Sequence, residues 1–384
     1  MRIPDPGPVR AFLEERHVAL AGEAAGFAAR EIASLPEPRD DASARSQARA
    51  ILAQAGAGGW LGPIQRQDWR GCCLVREALG AASPLADAVF ALQGLATLPI
   101  LLSENGPMRE RWVDAAIAGR AMGAFAMTER DAGSDVAAMQ TTARRDGKGF
   151  CLSGAKTLIS NAGIADFYTV FASTDLAAKG KGISCFVIPA DTPGFKFTGP
   201  QVLSAPHPLG EIAFEDCRVP AANRLGEEGR GMALGLKTLD RMRATVGAAA
   251  CGMAARALSE ALAHARARKQ FGKPLSEFQL VQEKLARMAT ELTAARLLVY
   301  RAAWAADQGA ERVTLEAAMA KAFATEAAQR IVDDAVQIVG GAGALASHPV
   351  DRLYRSVRAL RIYEGTTEIQ HLVIAGQLIQ DAGA

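Results

Sequence analysis

A short stretch near the C-terminal end of the chain, "RIYEGTTEIQ" at 361–370, spaces its residues in a way that suggests chemistry. One carboxylate, Glu364, lies between an aromatic residue and a glycine. The spacing of Thr367 and Gln370 predicts a capping box, so a helix should begin directly after the turn. Considered alone, Glu364 is most simply interpreted as a solvated surface glutamate, because carboxylates are usually exposed. A chemical role depends on the rest of the chain.

A second polar stretch, "FAMTERDAGSDVAAM" at 125–139, combines small residues with the hydroxyls of Thr128 and Ser134. One interpretation is a loop at a domain junction, in which these side chains satisfy their own backbone. The other is a polar rim facing a ligand rich in carbonyls or phosphates, where Gly133 leaves room for the ligand. Composition alone leaves both interpretations open.

A third stretch, "GAGALA" at 341–346, fits the pattern G-x-G-x-x-A of a dinucleotide-binding turn, with Glu364 about where a ribose-binding acid would lie. That motif requires a strand before the glycines and a helix after them. The preceding "AQRIVDDAVQIV" has helical spacing instead, and Pro349 interrupts the segment that should be helical. The sequence therefore disfavours a Rossmann site, although the glycines would still allow a ligand to approach the backbone.

The overall composition excludes several classes of protein. The chain has 384 residues and a formal net charge of +2, so we expect two or three domains and no nucleic-acid partner. The first residues lack the apolar segment of a secretory signal. The apolar run at 88–102 contains Gln93 and Pro99 and is too short to span a bilayer. A cytoplasmic enzyme that does not enter the membrane is the expected class.

The cysteines and histidines do not form metal-binding patterns. None of the six cysteines has C-x-x-C spacing, and the five histidines are scattered singly, so we expect no metal site. The neighbours Cys72 and Cys73 are poorly placed for a mutual disulfide. Free and mostly buried thiols in a reducing compartment are expected.

The amino-acid composition changes twice along the chain, which predicts three domains at 1–118, 119–226 and 227–384. The first is rich in Ala, Leu, Arg and Glu and should be helical. The second holds short apolar runs at 167–172, 183–189 and 211–214 separated by turn residues, as in an antiparallel β domain. The third returns to long helices. This order of elements disfavours a doubly wound sheet.

Local patterns predict several element boundaries. Asp-Gly within "RRDGKG" at 144–149 predicts a hairpin turn. Helices are predicted over about 232–268, from a capping box at Ser276, and over about 314–339 with a C-terminal cap at the Gly340–Gly341 pair. The apolar stripe of the second of these helices is interpreted as core.

Four stretches in series resemble the acyl-CoA dehydrogenase family of flavoenzymes. "FAMTERDAGSD" (125–135) is similar to the flavin-lining T-E-x-x-x-G-S-D motif, and "RKQFGKPLSEFQ" (268–279) to R-x-x-F-G-K-P-L-x-x-x-Q. "QIVGGAG" (337–343) is similar to Q-x-x-G-G-x-G, and "IYEGTTEIQ" (362–370) carries the position of the catalytic glutamate. The order and spacing match over about residues 8–380. The resemblance implies a mainly α fold: an N-terminal helical domain, a central antiparallel β-barrel-like domain and a C-terminal four-helix bundle.

The resemblance also implies which residues bind FAD and the acyl-CoA. Hydroxyls and backbone groups of the β domain would contact the flavin, and an arginine stretch would reach the FAD of a neighbouring subunit, since a guanidinium matches phosphate oxygens. The implied FAD-binding residues are Phe125, Met127, Thr128, Gly133, Ser134, Leu158, Ile159, Ser160, Arg268, Gln270, Phe271, Gln279, Gln337, Ile338, Gly341, Thr366 and Glu368. The implied substrate-binding residues are Ser134, Asp240, Arg243 and Gly365.

The resemblance gives Glu364 a chemical role. It would remove the α proton of an acyl-CoA thioester while the flavin accepts a hydride from the β carbon, giving a 2-enoyl-CoA. The thioester oxygen would be bound by the N–H of Glu364 and by a flavin ribityl hydroxyl. Burial should raise the pKa of the carboxyl toward the working pH. Some relatives carry the base within the stretch that reads "LDRMR" (239–243) here, where Met242 cannot act as one. Asp240 and Arg243 would steady the pantetheine, or simply pair at the helix surface.

Departures from the family pattern leave the substrate open. The family often has W-I-T against the flavin, whereas this chain has Leu158, Ile159 and Ser160. The segment 204–220 has an unusual proline-rich lead. An electron-transferring flavoprotein is the expected electron acceptor, and a homodimer or homotetramer the expected assembly. The alternatives are an acyl-CoA oxidase, a member acting on a modified acyl group with elimination or decarboxylation, and a helical scaffold or ligand-binding protein that keeps a flavin pocket without turnover.

Overall fold

The structure is a computed structural model that describes residues 3–382. These residues form two compact units that do not follow chain order. The first unit contains the residues up to Pro36, Asp68–Asp87 and the chain from Arg243 onward. The second contains Glu37–Gln67 and Ala88–Met242. The helices of the N-terminal third are therefore divided between the two units, whereas the sequence analysis placed residues 1–118 in one domain.

Helices precede and follow the main block of strands, β1–β8 (residues 123–225). Side-chain caps fix several helix starts: Asp40 accepts a hydrogen bond from Ser43 N (2.8 Å), and Asp68 accepts one from Gly71 N (3.0 Å). The helices before the strands are α1 (Glu15–Phe27), α2 (Asp41–Ala57), α3 (Gly62–Arg66), α4 (Trp69–Ala82), α5 (Pro84–Leu102), α6 (Gly106–Met108) and α7 (Asp114–Ile117). Those after them are α8 (Gly231–Ala267), α9 (Gln279–Asp307), α10 (Thr314–Val339), α11 (Pro349–Leu360) and α12 (Thr367–Ala382).

The second unit contains an eight-stranded sheet with the order β6-β7-β3-β2-β4-β5-β8, and β1 adds to β4. Its pairings are antiparallel except for β1 with β4 and a single parallel contact between β2 and β4. The predicted antiparallel pattern is thus correct for most of the sheet. The strands are β1 (Gly123–Ala126), β2 (Thr142–Asp146), β3 (Gly149–Ser160), β4 (Phe167–Ser173), β5 (Ile183–Pro189), β6 (Phe195–Pro200), β7 (Leu209–Pro220) and β8 (Arg224–Leu225); β9 (Lys269–Gln270) and β10 (Lys273–Pro274) form a separate hairpin in the first unit.

Alternating side chains of the sheet form the core of the second unit. Phe150, Tyr168, Phe186 and Phe214 are buried there among smaller residues. Strands β4 and β5 are buried along their whole lengths, which explains why each reads as a continuous apolar run rather than an alternating one. The core residues hold β3 in place, and β3 carries three residues predicted to contact the flavin.

The helices of the first unit pack around α10. Helices α9, α11 and α12 all contact it, and α4 packs on α9. Helix α4 also lies very close to α8, because a Cβ on Gly252 would be only 2.1 Å from the carbonyl oxygen of Glu77. Only glycine permits this approach. The close packing brings polar residues of α4 and α8 into one buried layer.

Most predicted boundaries are confirmed. The hairpin at 144–149 joins β2 to β3, α8 matches the predicted 232–268 within a residue, and α10 ends at Gly340, whose φ is +71°. The helix predicted from Ser276 is wrong at its start, since a 3-10 turn after Pro274 occupies Leu275–Glu277 and α9 begins at Gln279. The segment before "GAGALA" is helix α10, which contradicts a Rossmann turn.

Two further predictions concern burial. All six cysteines are free and buried. The prediction that the apolar run at 88–102 is too short to span a bilayer is wrong in length, because the run belongs to α5 (Pro84–Leu102). Among the described residues, α5 is the one helix long and apolar enough to cross a membrane, but 83% of its most apolar window is buried inside the protein. Its apolar character is therefore that of a core helix.

Candidate active site

Glu364 lies in the connection between α11 and α12, in a backbone conformation that is unusual for a glutamate. Its φ is +55°, and that of Gly365 is +93°. A non-glycine residue at positive φ is disfavoured and persists only where its surroundings hold it. The predicted capping box is off by one residue: Thr366 caps α12 by accepting a hydrogen bond from Ile369 N (3.3 Å). Two consecutive residues therefore form a constrained turn immediately before a helix start.

Four hydrogen bonds hold the two carbonyl groups of this turn. The carbonyl oxygen of Glu364 accepts from Arg243 Nε (3.2 Å) and from Gln370 Nε2 (3.2 Å). That of Gly365 accepts from Lys321 Nζ (2.6 Å) and from Gln370 Nε2 (3.1 Å). The donors come from α8, α10 and α12. Three helices thus fix the backbone from which the Glu364 carboxylate projects.

The carboxylate itself is left without a full set of donors. Its Oε2 atom is buried and has no hydrogen-bond partner. Burial raises the pKa of Glu364, while Arg243, Arg76 and Lys321 lower it by charge; the net direction is upward. A buried carboxylate with a free oxygen and a raised pKa is suited to accept a proton from a neighbouring carbon acid.

Arg76 adds positive charge near Glu364 but is held by other groups. Its Nε and NH2 groups donate to the two oxygens of Asp87 (2.7 and 2.9 Å), and its NH1 donates to Thr245 Oγ1 (2.8 Å). Arg76 and Asp87 are both fully buried. The pairing neutralises much of the arginine's charge, so Arg76 moderates the pKa of Glu364 without binding its carboxylate.

The first turn of α12 is anchored separately. Glu326 accepts from Arg361 Nε (2.7 Å) and from Thr367 Oγ1 (2.7 Å). Thr367 is therefore a structural anchor rather than the helix cap. Thr366 is half-buried and Glu368 is exposed, so both remain accessible to a ligand at this helix start.

In the second unit, two of the stretches predicted to line the flavin lie side by side. Thr157 N donates to the carbonyl oxygen of Thr128 (3.1 Å), and Lys156 Nζ donates to that of Met127 (3.0 Å). Lys156 also pairs with Glu129 Oε1 (2.8 Å). The end of the stretch at 125–128 is thereby fixed to β3 just before Leu158.

The end of β3 presents one apolar and one hydroxyl side chain. Leu158 has a φ of +55° and is 56% exposed, and its N–H donates to Gln201 Oε1 (2.9 Å). Ile159 is buried, whereas Ser160 Oγ is 2.7 Å from His207 Nε2. His207 belongs to the proline-rich segment that distinguishes this chain. Burial lowers its pKa to about 4, so it is neutral at pH 7.

The other predicted FAD-binding residues are mostly on surfaces. Phe125 is half-buried against Phe171, and Gly133 and Ser134 are exposed. Phe271 is 94% exposed. Arg268, Gln270, Gln279, Gln337 and Gly341 are exposed as well, whereas Met127 and Ile338 are buried. Asp240 is half-buried in the second unit.

Sequence reasoning missed four residues that shape these two clusters: Arg76, Lys321, Gln370 and His207. Gln370 was assigned only to a capping box. Lys321 does carry a detectable signal, because it interrupts the alanine-rich apolar face "AMAKAFA" of α10 with a charge. A lone lysine on a buried face requires a partner. The sequence could not show that the partner is a backbone carbonyl about forty residues away.

The chain is similar to known proteins over most of its length. Residues 124–217 match the acyl-CoA dehydrogenase middle domain and residues 229–379 the acyl-CoA dehydrogenase C-terminal domain. The chain is 37% identical to a 3-(aryl)acrylate reductase of Clostridium sporogenes, over 96% of this chain and all of that protein.

Two solved structures are similar over nearly the full length. Butyryl-CoA dehydrogenase from Megasphaera elsdenii has a TM-score of 0.89 and 33% identity, covering 96% of this chain and 99% of that one. A chain from work on the electron transferring flavoprotein of Acidaminococcus fermentans has a TM-score of 0.91 and 34% identity, covering 95% and 98%.

Proposed function

The chain belongs to the acyl-CoA dehydrogenase family of FAD-dependent oxidoreductases, and we propose that it oxidises an acyl-CoA thioester to the 2-enoyl-CoA with Glu364 as the base. The observation that carries the proposal is the buried, unpartnered Oε2 atom of Glu364 on a turn held by four hydrogen bonds. A carboxylate kept for structure would have its oxygens bonded. This one is kept available.

The residues of the second unit fit a flavin. The exposed side chain of Leu158 offers an apolar surface. Ser160 lies two residues further along the same strand, and both Ser160 and Thr128 are half-buried. Thr128 is brought to this strand by the bond between its carbonyl and Thr157 N. The open space around Gly133, where a Cβ would meet no atom within 4 Å, leaves room for a bulky group. When bound, FAD supplies the acceptor for the hydride that leaves the β carbon.

The base and its backbone act together on the α carbon. The α proton of a thioester is weakly acidic until its oxygen is bound by donors, and the N–H of Glu364 is the donor that this chain supplies. The turn conformation fixes the direction of that N–H relative to the carboxylate. Glycine is needed after Glu364, because φ is +93° at Gly365 and a Cβ there would lie 2.5 Å from Gln370 Nε2.

The CoA portion would be bound by residues of which one, Arg243, is already held by a hydrogen bond. We propose Ser134 and Asp240 for the CoA chain, with Arg243 acting from its position beside the Glu364 carbonyl. Arg243 is nearly buried, so it orients the turn first and adds a favourable charge for an anionic ligand second.

We further propose that the exposed arginine stretch binds the FAD of a second subunit, which requires a homodimer or homotetramer. Phe271 and Leu280 are 94% and 81% exposed, an unusual exposure for large apolar residues near a predicted cofactor contact. Arg268→Ala should release FAD and loosen the oligomer together. Gel filtration followed by flavin absorbance checks this, with the exposed Arg312→Ala as control; unchanged flavin retention and oligomer size would contradict the shared site.

The electron acceptor is proposed to be an electron-transferring flavoprotein. Leu158 is the observation that favours a second candidate, an oxidase, because an aliphatic side chain replaces the aromatic wall expected against the flavin. Hydrogen peroxide formed in air in proportion to the enoyl-CoA would support the oxidase and reject the dehydrogenase.

The experiment that tests the proposed reaction is an anaerobic titration of the FAD-loaded protein with acyl-CoAs of different length, branching and ring structure. Bleaching of the flavin absorbance with formation of the matching 2-enoyl-CoA supports it, and the acyl group that bleaches fastest identifies the substrate class. A flavin that no acyl-CoA reduces, in a protein that retains FAD, would reject it.

A further inference from the structure

Lys321 is a fully buried lysine of α10 whose ammonium contacts a backbone carbonyl rather than a carboxylate. Its relative exposure is 0%, and Nζ donates to the carbonyl oxygen of Gly365 at 2.6 Å. A buried ammonium costs several kcal/mol of desolvation, which a single neutral acceptor does not fully offset. Stability alone therefore does not account for a lysine at this position.

Gly365 follows Glu364 directly, and both have positive φ. Gln370 already donates to both carbonyls, so neither depends on Lys321 alone. Lys321, on α10, adds a short hydrogen bond from a charged donor to the carbonyl oxygen of Gly365 (2.6 Å). The bond from the Gln370 amide to the same oxygen is longer (3.1 Å), and Gln370 lies on α12, the helix that starts directly after the turn. A charged donor is about twice as strong as a neutral one.

We infer that Lys321 is a positioning residue for the base: it holds the Glu364–Gly365 turn in the conformation that directs the carboxylate at the substrate's α carbon. The inference rests on the proposed function of Glu364. In this role Lys321 acts on the base through the backbone carbonyl of Gly365.

The same charge also acts on the carboxylate. Lys321 is among the cations that oppose the upward shift of the pKa of Glu364. Burial lowers the pKa of Lys321 to about 8, while Glu364 raises it, Arg243 lowers it, and Glu326 and Glu368 raise it. At neutral pH the ammonium is charged, and its bond to the Gly365 carbonyl oxygen is at full strength. Above about pH 8 the amine becomes neutral, and the bond to Gly365 loses its charge.

Three variants test the inference through the pH dependence of flavin reduction by a good acyl-CoA substrate under anaerobic conditions. Lys321→Met should slow reduction by about 10- to 100-fold, the effect of a misdirected catalytic group, with little change in substrate affinity. Its acid limb should move to higher pH, since a positive charge beside Glu364 is lost. Lys321→Arg should keep the acid limb and lose the basic limb near pH 8, because arginine does not titrate there.

Lys284→Met is the matched control. Lys284 is a partly buried lysine of the same unit whose partner, Asp334, remains paired with Arg287 (2.6 Å). Neither limb should move in that variant. Bound FAD per subunit and thermal unfolding are measured for every variant, so that a folding defect in Lys321→Met is recognised, and Lys321→Arg then carries the test.

Limbs that stay in place in both Lys321 variants, with normal rates, would overturn the inference. That failure is distinct from failure of the proposed function, which is decided by Glu364→Gln. If Glu364→Gln is inactive and the Lys321 variants behave as wild type, Glu364 is the base and its turn holds itself. If Glu364→Gln is active, the base lies elsewhere.

Discussion

Two buried lysine–glutamate neighbourhoods, one in each unit, use the same residue types to opposite ends. In the second unit, Lys156 Nζ bonds Glu129 directly at 2.8 Å. In the first unit, Lys321 Nζ bonds the backbone next to Glu364 and leaves that carboxylate free. Burial lowers the pKa of both lysines to about 8.

The two glutamates respond in opposite directions. Burial raises the pKa of Glu129, but Lys156 and the backbone N–H groups of Gln140 and Thr141 (2.6 and 3.0 Å) outweigh it, and the net pKa is lowered. Burial also raises the pKa of Glu364, and there the surrounding cations do not outweigh it. Direct donors hold the Glu129 carboxylate as an anion. The donors around Glu364 bind backbone carbonyl oxygens instead, and the Oε2 atom of its carboxylate has no hydrogen-bond partner.

The largest effect on the rate of flavin reduction is expected for Glu364→Gln. Removing the base without changing its shape should lower the rate of flavin reduction by about 10³-fold or more. FAD should remain bound. The free energy of unfolding at pH 7 should be unchanged or higher, since a folded-state pKa above the unfolded value means that the ionised carboxylate weakens the fold above the unfolded pKa.

Stopped-flow absorbance and chemical unfolding measure these two quantities. The control is Glu311→Gln, an exposed residue outside both neighbourhoods. Near-normal reduction in Glu364→Gln would remove the distinction between the two glutamates.

For the Lys156–Glu129 pair we expect a change in stability. Glu129→Gln leaves the fully buried Lys156 without its charged partner, so the free energy of unfolding should fall by about 3 kcal/mol. Adding Lys156→Met should recover much of the loss, because the unpaired charge is removed with its partner.

Urea unfolding of the two variants provides the measurement. Glu215→Gln, which breaks an exposed pair with Lys196, is the control and should cost less than about 1 kcal/mol. Equal losses in Glu129→Gln and Glu215→Gln would show that burial does not distinguish the pairs.

A smaller effect is expected at His207, a half-buried residue that belongs to neither pair. Its folded pKa of about 4 lies below the usual value, so the unfolded chain binds a proton between about pH 6.5 and 4 that the folded chain does not. Stability should therefore fall as pH decreases through this window. His207→Gln should remove about 1–2 kcal/mol of that fall.

Thermal unfolding at pH 7 and at pH 4.5 compares wild type and variant, with the exposed His371→Gln as control. An identical acid-dependent loss in wild type and His207→Gln would mean that the Ser160–His207 bond places no constraint on protonation.

The strands and the long helices were predicted correctly because they depend on local periodicity, and a contiguous motif was enough to single out Glu364 as a candidate. The runs at 167–172 and 183–189 became β4 and β5 since continuous apolar residues can be buried on both faces. The start of α9 was missed because the 3-10 turn after Pro274 competes with a capping box of equally good spacing.

The environment of Glu364 could not be predicted in the same way. Its controlling residues lie on α4, α8, α10 and α12, and no spacing rule links Arg76 or Lys321 to a turn that follows α11. Likewise, the parallel pairing of β1 with β4 has no local signature. What remained hidden in each case was a contact between segments distant in sequence.

If Glu364 is the base, it moves a proton at the α carbon of the substrate, and exchange of that proton with solvent measures this step. The FAD-loaded protein is incubated in D₂O with an acyl-CoA analogue whose β carbon is replaced by sulfur, so that no hydride can leave, and deuterium at the α carbon is followed by mass spectrometry. If Glu364 is the base, we expect rapid deuterium incorporation by the wild-type protein and none above background by Glu364→Gln. Equal incorporation by both proteins would contradict it.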